Sequence, residues 1–193
     1  MLALMTPLPA ALVGAPFAAH SAFATPAPLL LAWRIDALQY AQSWHSGIGA
    51  ERFGGRWTPK GVPAVYCSVD PATCLVEAAV HRGFDVLDTQ PHVLSCVLIE
   101  PLAGEAGGTG QRGVRVVQPD ELPNPAWLHG GTPSAGQQRF GADLLAEHGV
   151  VLLPSAVSKC SWNLVFSPAA AAGRFHLKHQ QRLVVDTRLN RAP

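Results

Sequence analysis

Apolar and polar positions alternate along the chain in a way that predicts strands with few helices. "LLLAWRI", Leu29 to Ile35, is a short apolar run that suits a first β-strand. "DALQYAQSWHSGIGAERFGG" reads as a polar, Gly-rich connection, and "GVPAVYCS", with Val62, Val65 and Tyr66, favours extended backbone. "DPATCLVEAAVHRGF" predicts the clearest helix: Asp70 is a good N-cap, Pro71 fits the first helical position and Gly83 ends it. "HVLSCVLIE", His92 to Glu100, reads as a buried strand, "LAGEAGGTGQRG" as a loop and "VRVVQ" as a short strand. "GQQRFGADLLAEHG" predicts a second helix, "VVLLPS" a strand, and "RLVVDTRL", 182–189, the last strand. There is no internal repeat. This order predicts an α+β fold, a single compact domain over 31–193 with a mixed, largely antiparallel sheet.

Residues 1–30 read as a weakly structured extension. No charged side chain precedes Arg34, and Pro7, Pro9, Pro16, Pro26 and Pro28 interrupt every apolar run before it could span a bilayer. "AFA" at Ala22 to Ala24 resembles a cleavage site, but a secretory signal places Lys or Arg before its apolar core. The expectation is therefore a cytoplasmic protein without a membrane segment.

Composition narrows the function classes. With 48% hydrophobic and 14% charged residues the chain is globular rather than disordered. A net charge of +1 without a basic stripe argues against direct nucleic-acid binding. Cys67, Cys74, Cys96 and Cys160 form no CxxC pair and no Cys/His cluster, so no metal and no disulfide framework are expected. They read as small buried apolar residues.

Some residues stand out against their surroundings. "RFGGRW", Arg52 to Trp57, interleaves arginines and aromatic rings with Gly54 and Gly55, the composition of a loop that lets a guanidinium and backbone approach an anion. Its simpler reading is an exposed turn. Glu77 sits among Cys74, Leu75, Val76, Ala78, Ala79 and Val80, sharing a helix face with Cys74 and His81. A carboxyl group there is paired with Arg82 or another arginine, protonated, or facing a cavity. Arg34, inside an apolar strand, is either an edge residue or a site residue. Ser155 ends "LLPS" as a turn serine, with no Gly-x-Ser-x-Gly elbow around it. His129, His176 and His179 read as solvent-exposed.

In order, "WRI" (33–35), "GxGAxRFGGRWTPKGVPAVYCS" (47–68), "ATCLVEAAVH" (72–81), "LPNPAW" (122–127), "LLPSAV" (152–157), "WNLVFSP" (162–168) and "VVDTRL" (184–189) resemble the RES domain family. Members of that family are the toxin half of Xre–RES toxin–antitoxin pairs. The resemblance implies a fold like that of ADP-ribosyltransferases and an enzyme that acts on NAD as substrate, cleaving the nicotinamide–ribose bond. It implies hydrolysis or phosphorolysis, or transfer of ADP-ribose to a protein; a catalytically silent Xre-binding module is the remaining alternative. Carried onto this sequence, Glu77, Ser155 and Tyr66 would be catalytic. Arg34, Arg56, Gly54, Gly55, Tyr66 and Asn163 would bind NAD, the arginines at the pyrophosphate, Tyr66 stacking on the nicotinamide ring and Ser155 bonding the ring amide or the ribose. The implied partners are an Xre-type helix-turn-helix antitoxin and further copies of the chain. Two positions depart from the family pattern: Thr58 replaces the usual asparagine after "RW", and Thr187 stands where proline is common.

Overall fold

In the computed structural model the described residues are 30–100 and 114–186. The N-terminal extension, the Gly-rich loop before "VRVVQ" and Thr187 lie outside them. Seven strands, β1 (Leu30–Ala37), β2 (Val65–Ser68), β3 (His92–Ile99), β4 (Val114–Val116), β5 (Val150–Pro154), β6 (Trp162–Phe166) and β7 (Phe175–Arg182), form one sheet. Their order is β4-β5-β6-β2-β1-β3-β7, antiparallel throughout except that β4 pairs parallel with β5. The helices are α1 (Ile48–Phe53), α2 (Pro71–Arg82), α3 (Phe84–Thr89) and α4 (Ala135–His148). This is the α+β class that the sequence pattern predicts.

Alternation along β5 and β6 explains why the sheet is buried on both faces. Val150 and Leu152 join Trp162, Leu164 and Phe166 in one apolar cluster, while Val151, Leu153 and Val165 join Trp57 and Leu145 in another. Burying each such large side chain contributes about 1.5–3 kcal/mol. Gly141, in the middle of α4, is required by this packing: a Cβ there would lie 2.2 Å from the Trp57 carbonyl oxygen. A third cluster, of Ile35, Cys74, Ala79 and Leu87, holds α2 and α3 against β1.

The structure corrects four expectations. "WNLVFSP" supplies the central strand β6, and α1 lies in the stretch read as a polar connection. The last described strand is β7, "FHLKHQQR", which ends at Arg182; of the run expected as a strand, 183–186 are not strand and 187–189 lie outside the described residues. β7 is a sheet edge with mostly exposed side chains, so it carries no apolar alternation to read. The apolar residues that suggested a later strand, Leu183 and Val185, pack against the third cluster instead. Among the cysteines, Cys67, Cys74 and Cys96 are buried as expected, but Cys160 is exposed.

One feature of the sheet positions the site. β1 pairs with β3 along its whole length but with β2 at a single pair, Trp33 with Ser68. The two strands diverge there and leave a cleft.

Candidate functional site

A cavity of about 500 Å³ occupies this divergence. Arg34 lines it from β1, Tyr66 and Ser68 from β2, Asn163 from β6, Glu77, His81 and Arg82 from α2, and Phe53 to Trp57 from the end of α1 and its loop. Of the residues expected at the site, Arg34, Gly54, Gly55, Arg56, Tyr66, Glu77 and Asn163 meet in this space.

Glu77 is placed by the helix that the sequence predicts. Asp70 caps α2, its Oδ1 accepting from the Thr73 amide at 2.8 Å. One turn on, the Glu77 side chain points into the cavity, 17% exposed. Its Oε1 accepts from Ser155 Oγ at 2.7 Å and from Asn163 Nδ2 at 2.5 Å. Its Oε2 lies 3.8 Å from His81 Nε2 one turn later. The carboxylate is paired with side-chain donors, not with Arg82.

Asn163 is held in turn. A carboxylate can only accept, so the amide must present Nδ2 to Glu77 and Oδ1 to the other side. There Oδ1 accepts from Ser68 Oγ at 2.8 Å.

Ser155 is corrected from a substrate contact to a support. It is fully buried and does not line the cavity. Its hydroxyl donates to Glu77 and accepts from the amides of Val157 (3.2 Å) and Ser158 (2.8 Å). Every bond it makes fixes Glu77 to the turn after β5.

Arg34 spans the strand divergence. Its Nε and Nη2 donate to Asp36 at 2.8 and 2.6 Å, and Nη1 donates to the Tyr66 carbonyl at 2.9 Å, bridging β1 to β2 where the backbone ladder is missing. Burial works against the guanidinium charge, but its surroundings, Asp36 foremost, together outweigh that and hold the pKa above the ordinary arginine value. Three of its five N–H donors are spent inside the protein, leaving two for a ligand.

Arg56 is also anchored. Its Nη1 donates to the carbonyls of Trp127 (3.1 Å) and His129 (3.2 Å), tying the loop after α1 to the "LPNPAW" turn. Gln137 Nε2 and Lys159 Nζ donate to neighbouring carbonyls, Trp127 and Leu128.

Tyr66 and Gly55 are fitted to each other. A Cβ on Gly55 would lie 2.5 Å from Tyr66 Oη, so only glycine lets the phenol seat there. The hydroxyl accepts from the Trp57 amide at 3.1 Å and shares a 2.9 Å bond with Thr58 Oγ1, so threonine at 58 supplies a loop hydrogen bond of its own. Burial pushes the phenol up to about 12. The amides of Gly54 and Gly55 bond the carbonyls of Ala50 and Thr58, so these glycines shape the loop around Tyr66 rather than offer N–H donors to a ligand.

Sequence reasoning missed Ser68, Asp36 and Ser161, the last of which donates to Asp70 Oδ2 at 2.8 Å. Their signal was weak: each is a single small or acidic residue in or beside an apolar strand. Cys67 and Cys74 line the cavity too, but burial pushes the Cys67 thiol up to about 12 and Cys74 upward as well, so neither is a nucleophile near neutral pH.

Comparison with known proteins agrees with this architecture. The family model for the RES domain matches residues 31–186. A protein of Photorhabdus laumondii named Toxin Res is 28% identical over 167 residues, 84% of this chain and 99% of that protein. A Toxin Res of Yersinia enterocolitica is 36% identical over 52 residues, 27% of this chain and 34% of that one. The crystal structure of the M. tuberculosis MbcT–MbcA toxin–antitoxin complex contains a chain that superposes with a TM-score of 0.64 at 21% identity, over 81% of this chain and 85% of that one. That likeness shows a shared α+β fold.

Proposed function

The chain belongs to the RES domain family, and from that premise we propose that it is the toxin of a toxin–antitoxin pair that cleaves the nicotinamide–ribose bond of NAD. The observation that carries this reading is Glu77, a carboxylate with one oxygen fixed by Ser155 and Asn163 and the other offered to a cavity walled by Arg34 and Arg56.

Cleavage at a glycosidic centre develops oxocarbenium character on the ribose. Nicotinamide leaves as a neutral ring, so the departing group needs no proton. The work left to the protein is to stabilise positive charge at the ribose and to hold the pyrophosphate. Glu77 supplies the first: its Oε1 is immobilised, so Oε2 meets the developing charge without reorganising. Arg34 and Arg56 supply the second, each through the guanidinium donors that its internal bonds leave over. Ser155 and Asn163 act through Glu77, and Tyr66 holds the loop that carries Arg56. The same step serves hydrolysis, phosphorolysis and transfer of ADP-ribose to a protein, which differ only in the nucleophile. The intact constellation argues against a silent binding module.

An Xre-type antitoxin and self-association of the toxin within that complex complete the proposal, as does a cytoplasmic location, where the NAD pool lies. Among the described residues no helix is long and apolar enough to cross a membrane. Expression in bacterial cells without the antitoxin tests the reading. Growth arrest with falling NAD is expected; normal growth with unchanged NAD and abundant folded protein contradicts it.

A further inference from the structure

We infer that Phe53 is the platform on which the adenine of the substrate stacks, an inference that rests on the NAD-cleaving reading above. Among the described residues several large apolar side chains are exposed, including Leu38, Tyr40, Ile48, Val76 and Val80, but of these exposed residues Phe53 alone lines the cavity. It is 78% exposed, at the last residue of α1. A phenyl ring so open to water has no part in the core, and its face is available to a ligand.

Its position follows from the chain of contacts across the cavity. Ser68 is joined to Glu77 through Asn163, which places Ser68 at the ribose end. Tyr66 lies two residues back on the same face of β2, about 7 Å away. The Tyr66 ring sits on Gly55, and Phe53 precedes Gly55 by two residues. Arg34, bonded to the Tyr66 carbonyl, and Arg56, next to Gly55 in the chain, line the same cavity. One cavity thus presents a carboxylate, guanidinium groups and an open aromatic ring, the kinds of group that suit a dinucleotide's cationic ribose, pyrophosphate and second base. Stacking tolerates any flat base, and a rim aromatic needs no hydrogen bond to provide it.

The test compares wild type, Phe53→Ala and Phe53→Trp. Each is assayed for NAD cleavage, with nicotinamide mononucleotide, which lacks the adenylate, as a competitor. Phe53→Ala should raise KM for NAD roughly 5- to 150-fold, the range for one stacked base, with kcat little changed. Phe53→Trp should preserve KM, and the inhibition constant of nicotinamide mononucleotide should be the same in all three. An unchanged KM in Phe53→Ala overturns the proposal, as does an equal weakening of NAD and nicotinamide mononucleotide. Wild type that leaves NAD intact overturns the NAD-cleaving reading itself, and the platform with it. Because Phe53 is exposed, all three proteins should melt alike.

Discussion

Glu77 is fixed in a largely apolar helix by two side-chain donors. Ser155 and Asn163 converge on Oε1, and Ser68 steadies the Asn163 amide from its Oδ1 side. The role of Ser68 is therefore one of position. Ser68→Ala takes from the half-buried Asn163 Oδ1 its Ser68 donor, a loss of about 0.5–1.5 kcal/mol. It also loosens the amide that fixes Glu77 Oε1. A modest drop in Tm with a fall in kcat larger than any rise in KM is expected, and Ser68→Thr should restore much of both. Loss of Tm with unaltered kcat would make Ser68 a packing residue only. Glu77 was legible in the sequence, because a glutamate ringed by apolar neighbours must be explained. Ser155 was legible as a residue but not as a role: whether a serine after a proline faces a cavity or turns inward is decided by the loop that follows it.

At the scale of elements, α2 carries the site and its N-terminus is bound twice. Asp70 Oδ1 caps the helix, and Oδ2 accepts from Ser161, whose carbonyl receives the Ser155 amide at 3.0 Å. One carboxylate therefore joins the helix that bears Glu77 to the turn that supports it. Burial works to raise the Asp70 pKa, but hydrogen bonds from Thr73, Ser161 and Ala72 outweigh it and hold the group below its ordinary value. A carboxyl with a depressed folded pKa contributes stability above its unfolded value, near 4, and loses it as pH falls through the folded value. Asp70→Ala should thus cost about 1–2 kcal/mol at pH 7, the size of a lost cap, and the gap from wild type should narrow below about pH 4. Thermal melts across pH check this; a gap that persists in acid would assign the effect to packing. The helix was readable because cap, proline and terminal glycine agree. α1 and β7 were not: α1 is barely longer than one turn, and β7 is an edge strand whose mixed side chains follow no period.

For the molecule as a whole, the decisive feature is the single pair that joins β1 to β2. Motifs far apart in sequence meet because the sheet order places β6 beside β2 and β2 beside β1, with α2 packed over the divergence. No local pattern encodes that order, so the sequence could supply the α+β class and the separate motifs, while their convergence needed the structure. Arg34 shows the difference. As an arginine in an apolar strand it was conspicuous, but its bridging of the split strands depends on a pairing that stops after one residue. The same cleft makes the central claim testable in one assay, nicotinamide release from NAD by purified wild type and by Glu77→Gln. The substitution keeps shape and the bonds to Ser155 and Asn163 but removes the negative charge from the cavity wall. Wild type should release nicotinamide, and Glu77→Gln, with an unchanged melt, should lose roughly 100-fold or more in kcat, the size of one well-placed electrostatic group. KM should move little, since the charge acts most strongly as the cation develops. A folded Glu77→Gln that releases nicotinamide at the wild-type rate would contradict the account and leave Glu77 as a structural residue.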